Sequence, residues 1–192
     1  INRDNHFTEL VKGWDLDLPA SEDTHYQEDI LAGYLNYLGS AGDRFTFMAG
    51  IRVERANFEQ LNKYTGSIIN YSGTDILWAA NARYAINQKK GYSVNVSYAS
   101  KVNRPSPYLL DPYIHWEYAN EYSTGNPNLK PYVSHTFQLL TQLARSYNLT
   151  ARVSHAVNTY DFVSELSATG DSIISRPVNV SKNTSYTLNA ST

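Results

Sequence analysis

The sequence predicts an all-β fold, an antiparallel up-and-down transmembrane β-barrel of which about eight strands are present. Segments with a two-residue hydrophobic period are joined by connections that alternate between short and long. The short connections are residues 39–43, 87–91 and 145–148, and the long ones are residues 59–74, 104–131 and 165–177. In an up-and-down meander, the odd-numbered connections lie at one end of the sheet and the even-numbered ones lie at the other. The short turns therefore lie at one end and the long loops at the other, as in β-barrels of the outer membrane.

Composition limits the class of protein less sharply. The chain has 192 residues, no Cys, a formal net charge of −2 and 16 Tyr. The near-neutral charge and the lack of a long basic run do not indicate binding to nucleic acid. No apolar run approaches the about 18 residues of a transmembrane helix, but a spanning strand needs only about 9–11. A membrane barrel and a soluble domain both stay open at this point.

The strands are predicted from alternation, since successive side chains of a strand point to opposite faces. Alternation is clear over residues 44–58, 75–87, 92–102, 147–163 and 178–192, and weaker over residues 26–38, 132–143 and 5–11. The side chains predicted to face lipid are Phe45, Phe47, Ile51, Val53, Trp78, Val94, Val96 and Leu149. Those predicted to line the lumen are Arg52, Glu54, Arg83, Lys101 and Arg152.

Alternation alone does not separate a membrane barrel from a soluble β-sandwich, whose apolar face lies inside. The alternating loop lengths favour the barrel. His155 opposes it, because this residue falls on the apolar side of its strand, between Val153 and Val157. Either a β-bulge turns His155 away or the residue lies above the bilayer.

Catalysis is not indicated by any motif. The five His are scattered, no His pair has metal-ligand spacing, and no nucleophile elbow or phosphate-binding loop occurs. We therefore expect no enzyme activity, no metal and no cofactor.

Residues 104–131 form the richest segment. They carry the aromatic side chains Tyr108, Tyr113, Trp116, Tyr118 and Tyr122, with acidic residues between them. Aromatic side chains on loops offer binding surface for sugars or peptides at low entropic cost. The alternative is that the rings pack on one another and order the segment. In either case we expect the segment at the extracellular end.

Three stretches resemble one family. Thr124-Gly125-Asn126-Pro127-Asn128-Leu129-Lys130-Pro131 is similar to the "TGNPNLKP" motif of TonB-dependent outer-membrane receptors, in the barrel type common in Bacteroidota. Arg104-Pro105-Ser106 resembles the family's "R-P-S/T" step, and Gly50-Ile51-Arg52-Val53-Glu54 resembles its "G-x-R-x-E" strand. The family usually has Glu after the second Pro of the motif, whereas this chain has Tyr132.

The resemblance implies a location in the bacterial outer membrane and the import of a scarce nutrient: a siderophore, glycan, peptide or vitamin. It implies outer-membrane lipid, a plug domain of the same receptor, TonB and a surface lipoprotein as partners. Such barrels have about 22 strands. Residues 1–192 are then expected to be a single segment of the barrel, with the plug domain and the remaining strands absent.

Two alternatives remain from the residues themselves. About eight strands could close as a complete small outer-membrane barrel, with an adhesive or structural role. A soluble β-sandwich could instead bind a ligand through the aromatic segment.

Overall fold

The structure, a computed structural model, describes residues 2–7, 22–63, 66–143 and 146–192. Its strands are β1 (Asn2–Phe7), β2 (Glu22–Ala41), β3 (Phe45–Asn62), β4 (Ile68–Asn87), β5 (Tyr92–Asn103), β6 (Ile114–Tyr118), β7 (Glu121–Thr124), β8 (Tyr132–Leu143), β9 (Tyr147–Leu166) and β10 (Ile173–Ser191). A short helix, α1 (Pro107–Leu110), lies between β5 and β6. No helix within these ranges is long and apolar enough to cross a membrane.

All ten strands belong to one sheet, in the order β1-β2-β3-β4-β5-β8-β9-β10-β7-β6. Every pair is antiparallel except β7 and β10, which run parallel over three residues. The all-β barrel fold is thus confirmed, although the sheet is open. A sandwich of two stacked layers is excluded, because the described strands form a single sheet.

Register places the hydrophobic side chains on one face of this sheet. Side chains directly opposite each other on paired strands lie on the same side. Ile51 pairs with Leu35 on β2 and Trp78 on β4. One complete row reads Gly39, Phe47, Ala82, Val96, Leu139, Ala151 and Leu188. This apolar face is continuous from β2 to β10, and Trp78 and Val96 are 53% and 52% exposed on it.

The opposite, polar face carries cross-strand hydrogen bonds. Asn81 Nδ2 donates to Asn95 Oδ1 at 2.8 Å, and Arg152 Nη2 donates to Gln138 Oε1 at 2.8 Å. The five side chains predicted to line the lumen all lie on this face by register. That they face a lumen, and that the apolar set faces lipid, stay predictions.

Two of the long connections are shorter than the sequence predicts. β3 ends at Asn62 and β4 begins at Ile68, while β9 ends at Leu166 and β10 begins at Ile173. The pairing of Asn57 with Ser72 continues the β3–β4 ladder through positions that carry polar side chains on the same face as Ile51 and Trp78. Alternation ends where the strands leave the apolar band, and for this reason the sequence pattern misplaces the strand ends.

His155 stays on the apolar face. It pairs directly with His135 on β8 and with Thr184 on β10, and its Nδ1 is 2.8 Å from Thr184 Oγ1. The irregularity lies three residues further on, at Asn158, which has a φ of 61°. No bulge therefore turns His155 away.

An arginine scan tests the assignment of the two faces. Val96→Arg places a charge in the middle of the apolar face, where burial in hydrocarbon costs about 2–4 kcal/mol. Ser97→Arg, one residue along on the polar face, is expected to cost less than about 1 kcal/mol. Denaturant unfolding of the chain in phospholipid vesicles measures both. Equal losses at the two positions would contradict a lipid-facing apolar surface.

Candidate functional site

Residues 105–131, here called the shelf, fold onto the polar face instead of projecting from the sheet. Leu110 of α1 and Leu129 are 1% and 5% exposed. They form one cluster with Tyr26 of β2 and Phe58 of β3. Burial of these four side chains against one another holds the shelf on the polar face.

The Gly-Asn-Pro turn of the shelf fixes its course through backbone contacts. Gly125 N–H donates to the carbonyl of Asp111 at 2.9 Å. A Cβ built on Gly125 would lie 2.2 Å from the same oxygen, so no larger residue fits without backbone movement. Asn126 N–H donates to the carbonyl of Leu109 at 2.7 Å, and its side-chain Nδ2 donates to the carbonyl of Pro177 at 2.9 Å.

Asn179 of β10 fastens the end of the same motif. Its Oδ1 accepts from Lys130 N–H at 2.9 Å, and its Nδ2 donates to the Lys130 carbonyl at 3.0 Å. The same Nδ2 also donates to the carbonyl of Asn158, the residue at the irregularity in β9. The motif that the sequence identifies is therefore a joint between the shelf and the β9–β10 hairpin.

Asp111 attaches the other side of the shelf to β3. It is 4% exposed, and its carboxylate accepts from Gln60 Nε2 at 3.0 Å and from Tyr113 N–H at 3.2 Å. Burial raises the pKa of Asp111, while these hydrogen bonds oppose the shift. Gln60 Oε1 is buried and has no hydrogen-bond partner within the described residues.

Charged side chains converge where the shelf begins. Arg104 Nη1 lies 2.6 Å from Glu54 Oε1, and Arg104 Nη2 lies 3.0 Å from Asp75 Oδ2. Arg52 Nε donates to Glu54 Oε2 at 2.8 Å. The backbone pairing of β4 and β5 stops at Ala79, so Arg104 connects the two strands beyond the last ladder bond. Arg52 and Glu54, predicted separately to line the lumen, thus belong to one ion network.

The predicted aromatic ligand residues divide into two groups. Tyr108 and Tyr113 line a cleft together with His115, Phe162 and Pro177. Trp116 and Tyr122 pack on each other with ring centroids 4.9 Å apart, and Tyr118 is 69% exposed. The cleft lies between the shelf and the β9–β10 hairpin, and Leu109, Asp111, Ser123, Thr124 and Gly125 complete its lining.

Three residues of this site were missed by the sequence reasoning: Gln60, Asp111 and Asn179. Gln60 and Asp111 are 51 positions apart, and Lys130 and Asn179 are 49 apart. Only Asp111 has a local sign, the Asp-Pro step that follows α1. Within the described ranges, no group of three or more His, Asp and Glu side chains could hold a metal ion.

A glycine substitution tests the joint. Gly125→Ala forces Cβ against the Asp111 carbonyl, and overpacking of this kind costs about 1–3 kcal/mol. Gly33→Ala is the control, because nothing lies within 4 Å of its added Cβ. Thermal unfolding in micelles should separate the two variants, and limited proteolysis should cut residues 105–131 faster only in Gly125→Ala. Equal stability of the two variants would contradict the tight contact.

Removal of Arg104 tests the ion network. Arg104→Gln leaves the buried Glu54 carboxylate with Arg52 alone, and breaking such a pair costs roughly 3 kcal/mol. The Arg52 side chain is 47% exposed, against 13% for Arg104. Arg52→Gln should therefore cost less than about 1 kcal/mol. Denaturant titration measures the free energy of unfolding of both variants. A larger loss of stability in Arg52→Gln than in Arg104→Gln would contradict Arg104 as the main partner of Glu54.

Asp111 predicts a pH dependence of the shelf. Its folded-state pKa is raised above the unfolded value, so the folded state binds the proton more tightly. Stability of the shelf is then greatest below the unfolded pKa of about 4 and falls as pH rises through the folded pKa. Asp111→Asn should remove this slope. Hydrogen exchange of the shelf amides measures the stability of the shelf in the wild-type chain and in Asp111→Asn at each pH. An identical pH dependence in the two proteins would contradict the prediction.

Comparison with known proteins agrees with this architecture. The family model of the outer membrane protein beta-barrel family matches residues 1–192. No curated protein matches the chain. Among solved structures, the chain resembles the siderophore receptor PirA from Pseudomonas aeruginosa, with a TM-score of 0.50 and 15% identity.

That similarity covers 88% of this chain and 40% of the PirA chain, so the chain spans less than half the length of that receptor. At this identity the likeness shows the fold alone. The family model covers the chain from end to end and confirms the resemblance inferred from the three sequence stretches. The chain therefore belongs to the outer membrane protein β-barrel family and is a protein of the bacterial outer membrane.

Proposed function

We propose that the chain forms part of the barrel wall of a TonB-dependent receptor that imports a scarce nutrient. The observation that carries the proposal is the separation of the two faces. A band of apolar side chains that runs from β2 to β10 suits acyl chains, while the opposite face bears an ion network and the shelf. A wall of this kind encloses a wet interior in which a plug and a substrate are accommodated.

The open edges favour a segment of a larger barrel over a small closed one. β1 covers only Glu22–Gln27 of β2, and β7 covers only Ile173–Ser175 of β10. The rest of both edges has no partner among the described residues.

The shelf favours a receptor over a purely structural barrel. A structural barrel needs only short loops, whereas here 27 residues fold onto the polar face through a dedicated core and joint. In the proposed receptor this end faces the outside, and the plug domain, TonB and a surface lipoprotein are the partners. No catalytic role is proposed.

A growth competition tests this function. A strain lacking the protein is compared with its parent on single limiting sources of iron, glycan, peptide and vitamin. We expect a defect on one class of source, reproduced by deletion of tonB and rescued by the full protein but not by a form lacking residues 105–131. A strain that grows normally on every source but adheres poorly would support the structural alternative instead.

A further inference from the structure

An open groove lies on the polar face of the sheet, where the shelf returns to β8. Its volume is about 270 Å³, close to the lower end of the about 300–1,000 Å³ range of sites that hold small ligands. Four neighbouring strands supply side chains to its lining: Asn103 of β5, Ser134 of β8, Ala156 of β9 and Asn183 of β10. Ser134, Ala156 and Asn183 are directly paired, so the groove runs across the strands.

The side chains of the groove are neutral hydrogen-bonding groups, and several of them are free to bind a ligand. Asn103 Nδ2 donates to Ser134 Oγ at 3.0 Å, and Asn103 Oδ1 has no hydrogen-bond partner among the described residues. Asn183 and Ser185 are exposed, and their side chains make no hydrogen bond within the described part of the chain. Amide side chains and hydroxyl groups both donate and accept. They therefore complement the hydroxyl groups of a ligand, which also do both.

The backbone in the middle of the groove is not available to a ligand. β8 pairs with β5 and β9, and β9 pairs with β8 and β10, so the N–H and C=O groups of both strands are engaged on either side. An extended peptide usually binds a sheet by adding to a free edge, and β8 and β9 offer none here. Recognition in this groove therefore relies on side chains, which favours a small polyhydroxyl ligand over a peptide strand.

An aromatic ring bounds the groove next to the shelf. Tyr132, the first residue of β8, lines the groove. Its ring packs edge to face against Tyr160 of β9, with ring centroids 5.4 Å apart and an interplanar angle of 68°. A sugar ring has C–H groups on its faces and hydroxyl groups at its edge. An aromatic ring beside free hydrogen-bonding groups suits such a ligand, because it provides an apolar contact for one face.

Cations without carboxylate partners lie on the same face as the groove. Lys101 is directly paired with Ser134, and Arg152 lies on β9 and donates to Gln138 Oε1 at 2.8 Å. Neither Lys101 nor Arg152 has a carboxylate partner among the described residues. The two carboxylates of the ion network on β3 and β4 are already paired with Arg104.

Carboxylates are absent from the polar face of the strands that form the groove. β5, β8 and β10 contain no Asp or Glu. On β9, Tyr160 faces Tyr132 and Phe162 faces the shelf. The acidic residues of β9, Asp161 and Glu165, occupy the alternate positions and so lie on the opposite face. A wall that carries charge of one sign attracts ligands of the other, so this groove favours an anion over a cation.

We propose that this groove binds a hydroxyl-rich ligand that carries a negative charge, of which a sugar acid is the simplest example. The proposal deepens the proposed function, on which its physiological meaning rests. Asn103, Asn183 and Ser185 bind the hydroxyl groups of the ligand, and Tyr132 packs on one face of its ring. Lys101 attracts its carboxylate.

Three probes with the same pyranose ring test the charge preference: glucuronate (anionic), glucose (neutral) and glucosamine (cationic). Saturation-transfer NMR on the full chain in micelles measures their affinities. We expect glucuronate to bind about tenfold more tightly than glucosamine at low salt, with glucose between them, and the difference to narrow as salt screens the charges. Preference for glucosamine, or no binding by any of the three probes, would overturn the proposal.

A fourth probe separates the recognition of hydroxyl groups from the recognition of charge alone. N-Acetylglycine carries a carboxylate and a peptide unit but no hydroxyl group. We expect it to bind about tenfold more weakly than glucuronate, because it cannot match the free amide and hydroxyl groups of the groove. Equal or tighter binding of N-acetylglycine would indicate a peptide ligand and would overturn the assignment to a sugar acid.

Two substitutions locate the binding. Asn183→Ala removes one free amide and should weaken glucuronate binding about fivefold. Asn189→Ala is the control, because Asn189 lies on the same strand and face but outside the groove. Asn183 is exposed, so its loss should not unfold the chain, and circular dichroism checks this. Unchanged glucuronate affinity in a folded Asn183→Ala chain would overturn the site.

A charge substitution tests the role of Lys101. Lys101→Gln should weaken the binding of glucuronate and leave that of glucose unchanged, because only glucuronate carries a charge for the ammonium group to attract. Equal losses for the two sugars would contradict this role.

The outcome is separable from that of the receptor proposal. Binding of glucuronate without any TonB-dependent growth phenotype would keep the groove and remove the transport function. A growth phenotype without binding of any sugar probe would keep the receptor and remove the groove.

Discussion

Strand pairing across the apolar band is the constraint on which this structure depends. Lipid offers no hydrogen bonds, so each backbone N–H and C=O on a lipid-exposed strand must find a partner on the next strand. From β3 to β4 and from β5 to β9 the register runs without a shift, and the shift between β4 and β5 lies next to their turn. A slip of one residue would exchange the two faces of a strand, placing Arg52 where Ile51 now lies.

The polar face is organised by the chain's own connection. β4 and β5 separate beyond Ala79, and at that point a side chain replaces the backbone ladder: Ser100 Oγ accepts from Trp78 N–H at 2.7 Å. Arg104 then joins Glu54 to Asp75, and the shelf starts at the next residue. The shelf continues across the polar face to β10. The wall and its lining are therefore a single structural unit.

Sequence pattern predicted the strands that carry the apolar band, because a strand with one apolar and one polar face repeats its side-chain character every two residues. It also singled out the stretch that contains the Gly-Asn-Pro turn, since turn chemistry is local. It did not predict the last residues of β3 and β9 or the first residues of β4 and β10, which are residues 59–62, 164–166, 68–74 and 173–177. Nor did it predict the contacts of Gln60 with Asp111 or of Asn179 with Lys130. These join residues about 50 positions apart, and no local periodicity encodes them.

The shelf is attached at both of its sides, to β3 through Asp111 and to β10 through Asn126 and Lys130. Between these strands the sheet passes through β4, β5, β8 and β9. The two attachments of the shelf link the separation of β3 and β10 to the length of the shelf. A fixed separation between these two strands limits the curvature of the sheet that lies between them. The curvature of this part of the sheet is thus coupled to the covalent connection between β5 and β8, and the coupling requires β10 to be paired in the sheet.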